Sequence, residues 1–358
     1  MNNIYHILSS DIPYHNRQLL RFFQHDVLPL LPNQSHRFYV VGAQTLQSQF
    51  PRLSLHPYPS KRAIVRAVID LAKADEQAHF VLHGQFNLFL WFAIFFGKLP
   101  ACRCTWHVWG ADLYQDSTDW RFRLFYPIRR RIQRKFPRIW ATQGDLRYVR
   151  QQLKRKIADD RVVYFPTKMA PLSLSTDGQK RSHTSLTVLL GNSGDRSNRH
   201  LIALQKINQR LGNDVNILIP MGYPAGNHAY IAEVSQCARS LYAAHQIDIL
   251  TERIDFGRYI SLLQRCDLGY FNFERQQGIG TLCLCIQLNI PVVLHRNNPF
   301  TEDMQAEGVP FVWQDELSRE RIVQTRRDLQ TLDKTQIAFF APNYLTPWLD
   351  ALTDLADG

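Results

Sequence analysis

The sequence predicts an α/β protein with two doubly wound, Rossmann-like halves. Three observations carry this. Short apolar runs rich in β-branched and aromatic residues alternate with segments of helical periodicity along the whole chain. The alternation lapses at 167–185 (TKMAPLSLSTDGQKRSHTS), a stretch rich in Ser, Thr, Pro, Gly and Lys, and then restarts. The 358 residues suffice for two domains of ordinary size, ~100–200 residues each.

In the first half, strands are expected at Ile4–Leu8, Phe38–Val41, His79–His83, Cys104–Trp109, Ile139–Thr142 and Val162–Phe165. Each is short and bounded by Gly, Pro, Ser or Asp. Between them, Ala63–Ala74 (AIVRAVIDLAKA) repeats its apolar residues at helical spacing. In the second half, strands are expected at Leu186–Leu190, Val215–Ile219, Ile247–Leu250, Leu268–Phe273 and Pro291–Leu294. The intervening helices are Asn198–Leu211, Ala229–His245, Phe256–Cys266 and Ile279–Leu288. Helices near Glu302–Glu307, Arg319–Leu332 and Tyr344–Leu355 complete the chain. Strand–helix alternation of this kind implies mostly parallel sheets covered on both faces. The expected domains are 1–175, 186–335, and a tail, 336–358, whose helix packs back on the first.

The formal net charge of +11 favours an anionic partner: nucleic acid, anionic lipid or a phosphate-bearing substrate. The opening residues MNNIYHIL lack the basic and apolar regions of a signal peptide. The longest apolar run, Leu88–Phe96, falls well short of the ~20 residues that cross a bilayer as a helix. A cytoplasmic location is therefore expected. The six cysteines form two C-x-C pairs and no C-x-x-C, which disfavours a zinc ribbon and suits reduced core residues.

Ligands of open α/β sheets bind beyond the C-terminal strand ends, so unusual residues there are candidate binding groups. After the Leu186–Leu190 strand comes GNSGDRSN. In it Gly191, Asn192, Ser193 and Gly194 bring backbone close to a ligand, and Arg196 can meet a phosphate. After Leu268–Phe273 comes RQQGIGTL. Gln277, Gly278, Ile279, Gly280 and Thr281 open an apolar helix there, and such a turn can hold a diphosphate on its N–H groups. Tyr223, in MGYP after another strand, is a candidate to stack on a base. These turns assign donor binding to the second half. The alternative reading of each is an ordinary structural turn.

In the first half, His83, Gln85 and Asn87 follow one strand end, and WHVWGADLY covers the next. Asp112 is a candidate general base for an acceptor hydroxyl, and Asp11, after the first strand, is a second. No ligand spacing supports a metal at His83 and His107, and no D-x-D motif occurs, so neither metal nor cofactor is expected. From Trp120 to Phe136 no acidic residue interrupts alternating Arg and apolar residues, including Arg129, Arg130, Arg131 and Arg134. The segment reads as helical on both sides of Pro127. It suits an anionic membrane surface or a lipid diphosphate. A solvated helix face is the alternative. No RRM, KH or OB signature accompanies it, so no nucleic-acid partner is expected.

Taken together, SDIPYHNR (10–17), HGQFN (83–87), WHVWGADLY (106–114), GNSGDRSN (191–198), MGYP (221–224), CDLGYF (266–271), RQQGIGTLC (275–283) and APNYL (341–345) span almost the whole chain. In these segments the chain resembles the 4-alpha-L-fucosyltransferase family, the 4-acetamido-4,6-dideoxy-D-galactose (Fuc4NAc) transferases of enterobacterial common antigen synthesis. The resemblance implies a GT-B-type fold, two Rossmann-like domains facing a central cleft. It implies transfer of Fuc4NAc from a dTDP-sugar donor to lipid II, an undecaprenyl-diphosphate-linked ManNAcA–GlcNAc disaccharide, giving lipid III. It also implies peripheral attachment at the cytoplasmic face of the bacterial inner membrane. It assigns no catalytic residue.

Overall fold

The structure is a computed structural model that describes residues 3–117, 119–155, 158–170 and 185–357. The chain divides into two compact units, Met1–Pro166 with Ala341–Gly358 (unit 1) and Thr167–Phe340 (unit 2). Most of the expected connecting stretch, 171–184, lies outside the described residues.

Unit 1 is a seven-stranded sheet of β1 (Ile4–Leu8), β2 (His36–Val41), β3 (Ser54–Tyr58), β4 (His79–His83), β5 (Cys104–His107), β6 (Arg138–Ala141) and β7 (Arg161–Val162). Its order is β3-β2-β1-β4-β5-β6-β7, and every pair is parallel. β1 and β4 are buried at every position, as strands covered on both faces must be. Unit 2 contains β8 (Leu186–Leu190), β9 (Val215–Pro220), β10 (Ile247–Leu250), β11 (Leu268–Phe271), β12 (Val292–Leu294) and β13 (Val312–Trp313). Its order is β10-β9-β8-β11-β12-β13, again all parallel. In each sheet the strand order reverses between the unit's first and fourth strands. Those gaps, β1/β4 and β8/β11, are where doubly wound sheets open a crevice.

Two strands were not expected from the sequence, β3 and β13. β3 carries Pro57, and proline demotes a strand reading; the strand lies at the sheet edge, where a missing N–H is tolerated. β13 has two residues, too few to show alternation. The strand ending at Trp109 in the expectation stops at His107, because the chain turns there to enter the Asp112 loop.

The basic segment forms one helix, Trp120–Gln133, continuous through Pro127 and capped by Asp119, whose side chain accepts from the Arg121 N–H at 2.9 Å. The final helix, Leu345–Asp357, belongs to unit 1. Its Trp348 is fully buried and donates its indole N–H to Tyr164 O at 2.9 Å. Around that ring stand Phe22, Phe23, His83, His107 and Trp140. Among the described residues no helix is long and apolar enough to cross a membrane. All six cysteines are free. Four are buried, Cys237 is half-buried, and Cys102 is exposed rather than in a core.

Candidate functional site

At the β8/β11 gap of unit 2, two loops meet. β8 is extended by Gly191, whose N–H donates to Tyr270 O at 2.9 Å; its φ of +71° suits glycine. The loop then wraps around the buried side chain of Asn198. Its Oδ1 accepts from Asn192 N at 3.0 Å, and its amide donates to Ser193 Oγ and Asp195 O, both at 3.1 Å. Gly194 lies against the Met221–Pro224 turn, where a Cβ would come within 2.8 Å of Met221 O.

The loop after β11 reaches back to this one through side chains. Gln277 donates to Asn192 Oδ1 at 3.1 Å and accepts from Ser197 Oγ at 2.6 Å. Arg275 donates to Gln277 Oε1 at 3.1 Å and to Ser197 Oγ at 3.0 Å. Gly278, at φ +66°, starts the helix Ile279–Gln287, and a Cβ on it would sit 3.0 Å from the Asn192 side chain. The result is a glycine turn at a helix N-terminus, whose first N–H groups have no intrahelical partner, bordered by a guanidinium and two carboxamides. That is an anion-binding arrangement.

The structure redistributes roles among the expected donor residues. Gly191, Asn192, Ser193, Gly194, Gln277, Gly278 and Ile279 come together here. Gly280 makes only an ordinary contact, its Cβ position being 4.0 Å from Thr167 Cγ2. Thr281 is buried and bonds Tyr259 OH at 3.0 Å, so its hydroxyl faces the neighbouring helix rather than the turn. Arg196 is exposed, held by Glu233 at 3.0 and 2.6 Å over the Tyr230 ring. The cation on the turn is Arg275 instead, whose side chain is only 16% exposed. Tyr223 is half exposed beside Arg253.

Arg275→Ala should weaken nucleotide binding roughly 10–100-fold, the worth of a charge-assisted hydrogen bond. Arg196→Ala breaks only an exposed ion pair, so a change of no more than a few-fold is expected. Isothermal titration with dTDP distinguishes the two, and equal losses would contradict the placement.

His200 escaped the sequence reading. It is fully buried, and burial pushes its pKa down to about 4. Its backbone N–H donates to Tyr230 OH at 3.3 Å, and that hydroxyl lies 3.1 Å from Nδ1. Where the hydroxyl donates to Nδ1, the proton sits on Nε2. That nitrogen has no partner and lies 3.0 Å from where a Gly191 Cβ would be. Its only signal in the sequence was a histidine just after a glycine-rich strand end.

At the β1/β4 gap of unit 1 the loops are also joined by side chains. Ser9 Oγ donates to Gln85 Oε1 at 2.9 Å, Ser10 Oγ to Gly84 O at 3.2 Å, and the Asn87 amide to Ser9 O at 3.2 Å. Asp112 ties in the next loop. Its carboxylate accepts from Gln85 N at 2.9 Å, Trp106 Nε1 at 2.8 Å and Trp109 N at 2.9 Å. Burial raises its pKa, against the pull of those three donors.

A carboxylate only 1% exposed with both oxygens engaged is a loop clamp, so the expected role of Asp112 as a general base does not fit. His83, Gln85 and Asn87 are likewise buried, within the fold rather than towards an acceptor. Asp11 remains exposed at the strand end. Asp112→Asn should destabilise unit 1 by about 3 kcal/mol, because the new amide turns a donor against donors. Thermal unfolding checks this. An unchanged Tm with abolished activity would restore the base.

Four imidazoles run across the sheet beneath these loops. His36 Nδ1 meets His6 Nε2 at 3.0 Å, His6 Nδ1 meets His83 Nε2 at 2.9 Å, and His83 Nδ1 meets His107 Nδ1 at 3.0 Å. Trp109 Nε1 lies 3.3 Å from His107 Nδ1. An indole N–H can only donate, so His107 Nδ1 accepts. His83 therefore donates from Nδ1 and, as a neutral ring, accepts at Nε2 from His6 Nδ1, while at the far end His36 Nε2 lies 3.1 Å from Gln34 Oε1. Burial disfavours the charged form of each ring and holds all four pKa values low, that of His36 at about 4 and that of His107 at about 3.

Of the arginines expected at an acceptor or membrane, Arg129 is buried. It donates to Tyr114 O and stacks on Tyr126, bracing the Asp112 loop. Arg130 donates to Tyr148 OH at 2.8 Å. Arg131 and Arg134 are exposed.

The family model of the 4-alpha-L-fucosyltransferases, glycosyl transferase group 56, matches residues 1–357. The chain belongs to this family. It is a glycosyltransferase with a GT-B-type fold. Similar solved structures carry the same architecture. A glycosyltransferase from Rickettsia africae has a TM-score of 0.65 at 9% identity, over 99% of this chain and 98% of its own. HepE of Anabaena, solved in complex with UDP, scores 0.60 at 14% identity, over 100% and 95%. A UDP-forming trehalose-phosphate synthase from Burkholderia vietnamiensis scores 0.56 at 9% identity, over 99% and 100%.

Proposed function

We propose that this family member transfers Fuc4NAc from dTDP-Fuc4NAc to undecaprenyl-diphosphate-linked ManNAcA–GlcNAc, making lipid III of enterobacterial common antigen at the cytoplasmic face of the inner membrane. The observation that carries the donor half is the joined pair of loops at the β8/β11 gap. The N–H groups of the helix N-terminus at Gly278, the Arg275 guanidinium and the unpartnered Nε2 of His200 suit a nucleoside diphosphate. That HepE has been solved with UDP-glucose on a similar fold supports a nucleotide-sugar donor.

These groups are fixed before substrate arrives. They stabilise the charge that grows on the departing diphosphate as the glycosidic bond breaks. The acceptor side belongs to unit 1. There Asp11 is the exposed carboxylate suited to take the proton of the acceptor hydroxyl, while Asp112 holds the loops around it. The specific sugar and lipid rest on the sequence resemblance.

The test is incubation of purified protein with labelled dTDP-Fuc4NAc and the lipid-linked disaccharide in detergent, followed by extraction of lipid. Labelled trisaccharide-lipid is expected. Hydrolysis without transfer, or transfer only from a uridine-linked donor, would reject this assignment.

A further inference from the structure

Unit 1 carries an apolar surface that its fold leaves uncovered. On the helix Leu88–Phe95 and the residue after it, Leu88, Phe89, Phe92, Phe95 and Phe96 fall on one side by helical spacing, while Leu90, Trp91, Ala93 and Ile94 enter the core. The neighbouring helix Trp120–Gln133 packs Phe125 against Phe92 with ring centres 5.4 Å apart. Its first turn projects beyond that contact, leaving Trp120, Arg121, Phe122, Arg123 and Leu124 all exposed.

Six of the eleven exposed large apolar side chains among the described residues lie on these two neighbouring segments. They range from 38% exposed at Phe89 to 68% at Leu124. A concentration of this kind marks a contact surface rather than scatter.

The charges around it say what it contacts. Arg62 stands over the Phe89 ring at 4.8 Å and Arg121 over Trp120 at 5.8 Å, and Arg123 and Lys98 are exposed beside them. No acidic residue occurs from Gln77 to Ala111 or from Trp120 to Gly144. Asp112, Asp116 and Asp119 lie in the loop between; Asp112 is buried and Asp119 is engaged as the helix cap. Aromatic rings edged by arginine match the boundary of an anionic bilayer, with rings at headgroup depth and guanidinium groups on phosphate.

We infer that the outer face of Leu88–Phe96, together with the first turn of Trp120–Gln133, is the surface by which this enzyme sits on an anionic phospholipid bilayer. The inference deepens the lipid-linked acceptor reading and rests on it for its biological sense. It also moves the membrane contact away from the arginines further along the helix. Arg129 is built into the loop it supports, and the contact lies instead on the helix's projecting N-terminal turn.

The experiment is co-sedimentation of the full chain with vesicles of phosphatidylethanolamine and phosphatidylglycerol, against vesicles of phosphatidylcholine. Wild type is expected to pellet with the anionic vesicles and to be released by salt. Phe96→Ser combined with Trp120→Ser and Phe122→Ser removes three solvent-exposed rings, so its Tm should hold while binding falls about tenfold or more. Trp120→Phe should keep binding but lose the largest part of the fluorescence quenching by brominated lipid.

Vesicle binding by the triple variant equal to wild type would overturn the inference. So would a wild-type dimer that the same substitutions dissociate with no effect on vesicles, since the face would then join two copies. Transfer measured in detergent keeps the two proposals apart. The triple variant should retain it, and its absence from wild type would reject the transferase assignment while leaving the vesicle result standing.

Discussion

Acidification from pH 7 to about 4.5 is expected to unfold unit 1 before unit 2. Of the four imidazoles, His6 and His83 each use both ring nitrogens to join their neighbours, and His36 and His107 end the chain. A second proton on His6 or His83 would set two donors face to face. In the unfolded chain the same histidines take up protons below about pH 6.5. Below that pH the unfolded state therefore binds more protons than the folded one, and stability falls with pH until the depressed folded values are reached. Each such group removes about 1.4 kcal/mol per pH unit, so four remove about 5–6. That is comparable to a whole domain's stability, ~5–15 kcal/mol, within one to three pH units.

His15 and His79, both shifted down to about 4, act in the same direction. Asp26, Asp112 and Asp160 are shifted upward by burial and oppose the trend. Unit 2 contributes His200 and the less buried His295. Six of the seven tryptophans lie in unit 1, so their fluorescence should change well before far-ultraviolet circular dichroism is complete. Coincident transitions, or a flat signal down to pH 4, would contradict the neutral chain.

Gly278→Val is expected to cut dTDP affinity, and with it transfer, on the order of 100-fold. At φ +66° any L-residue costs about 1–2 kcal/mol, and a β-branched one more. The new Cβ would also meet the Asn192 side chain at 3.0 Å, displacing the residue that receives Gln277. The backbone cost alone is measured by Gly308→Val. Gly308 has φ +63° and nothing within 4 Å of its Cβ position, so that variant should lose stability and keep its dTDP affinity. Equal nucleotide binding by Gly278→Val and wild type would remove the turn from the donor site.

The fold was legible because parallel strands buried on both faces announce themselves as continuous apolar runs. Ile4–Leu8, His79–His83 and Leu186–Leu190 have the bounds expected from the sequence, as does the edge strand Ile247–Leu250, which is not buried. What strand ends do with their side chains was less legible. Arg196 and Arg275 each stand in a glycine-bearing loop, yet Glu233, thirty-seven residues along the chain, claims the first. Asp112 looked like a base because it follows a strand and neighbours aromatics. Its three donors come from positions 85, 106 and 109, a convergence visible only once the strands are side by side. The histidine chain was hidden for the same reason, since its members stand on four different strands.

The placement of Trp348 has a consequence for how the molecule is made. Unit 2 is one continuous stretch, whereas unit 1 is closed by residues that are synthesised after unit 2. On a translating ribosome, which builds chains N-terminus first, β1, β4 and β5 emerge long before the indole that roofs His83 and His107 exists. The first-made half is thus the last to finish, and until then its histidine chain is open to water. A released chain truncated after Phe340 should show protease resistance over unit 2 and cleavage throughout unit 1.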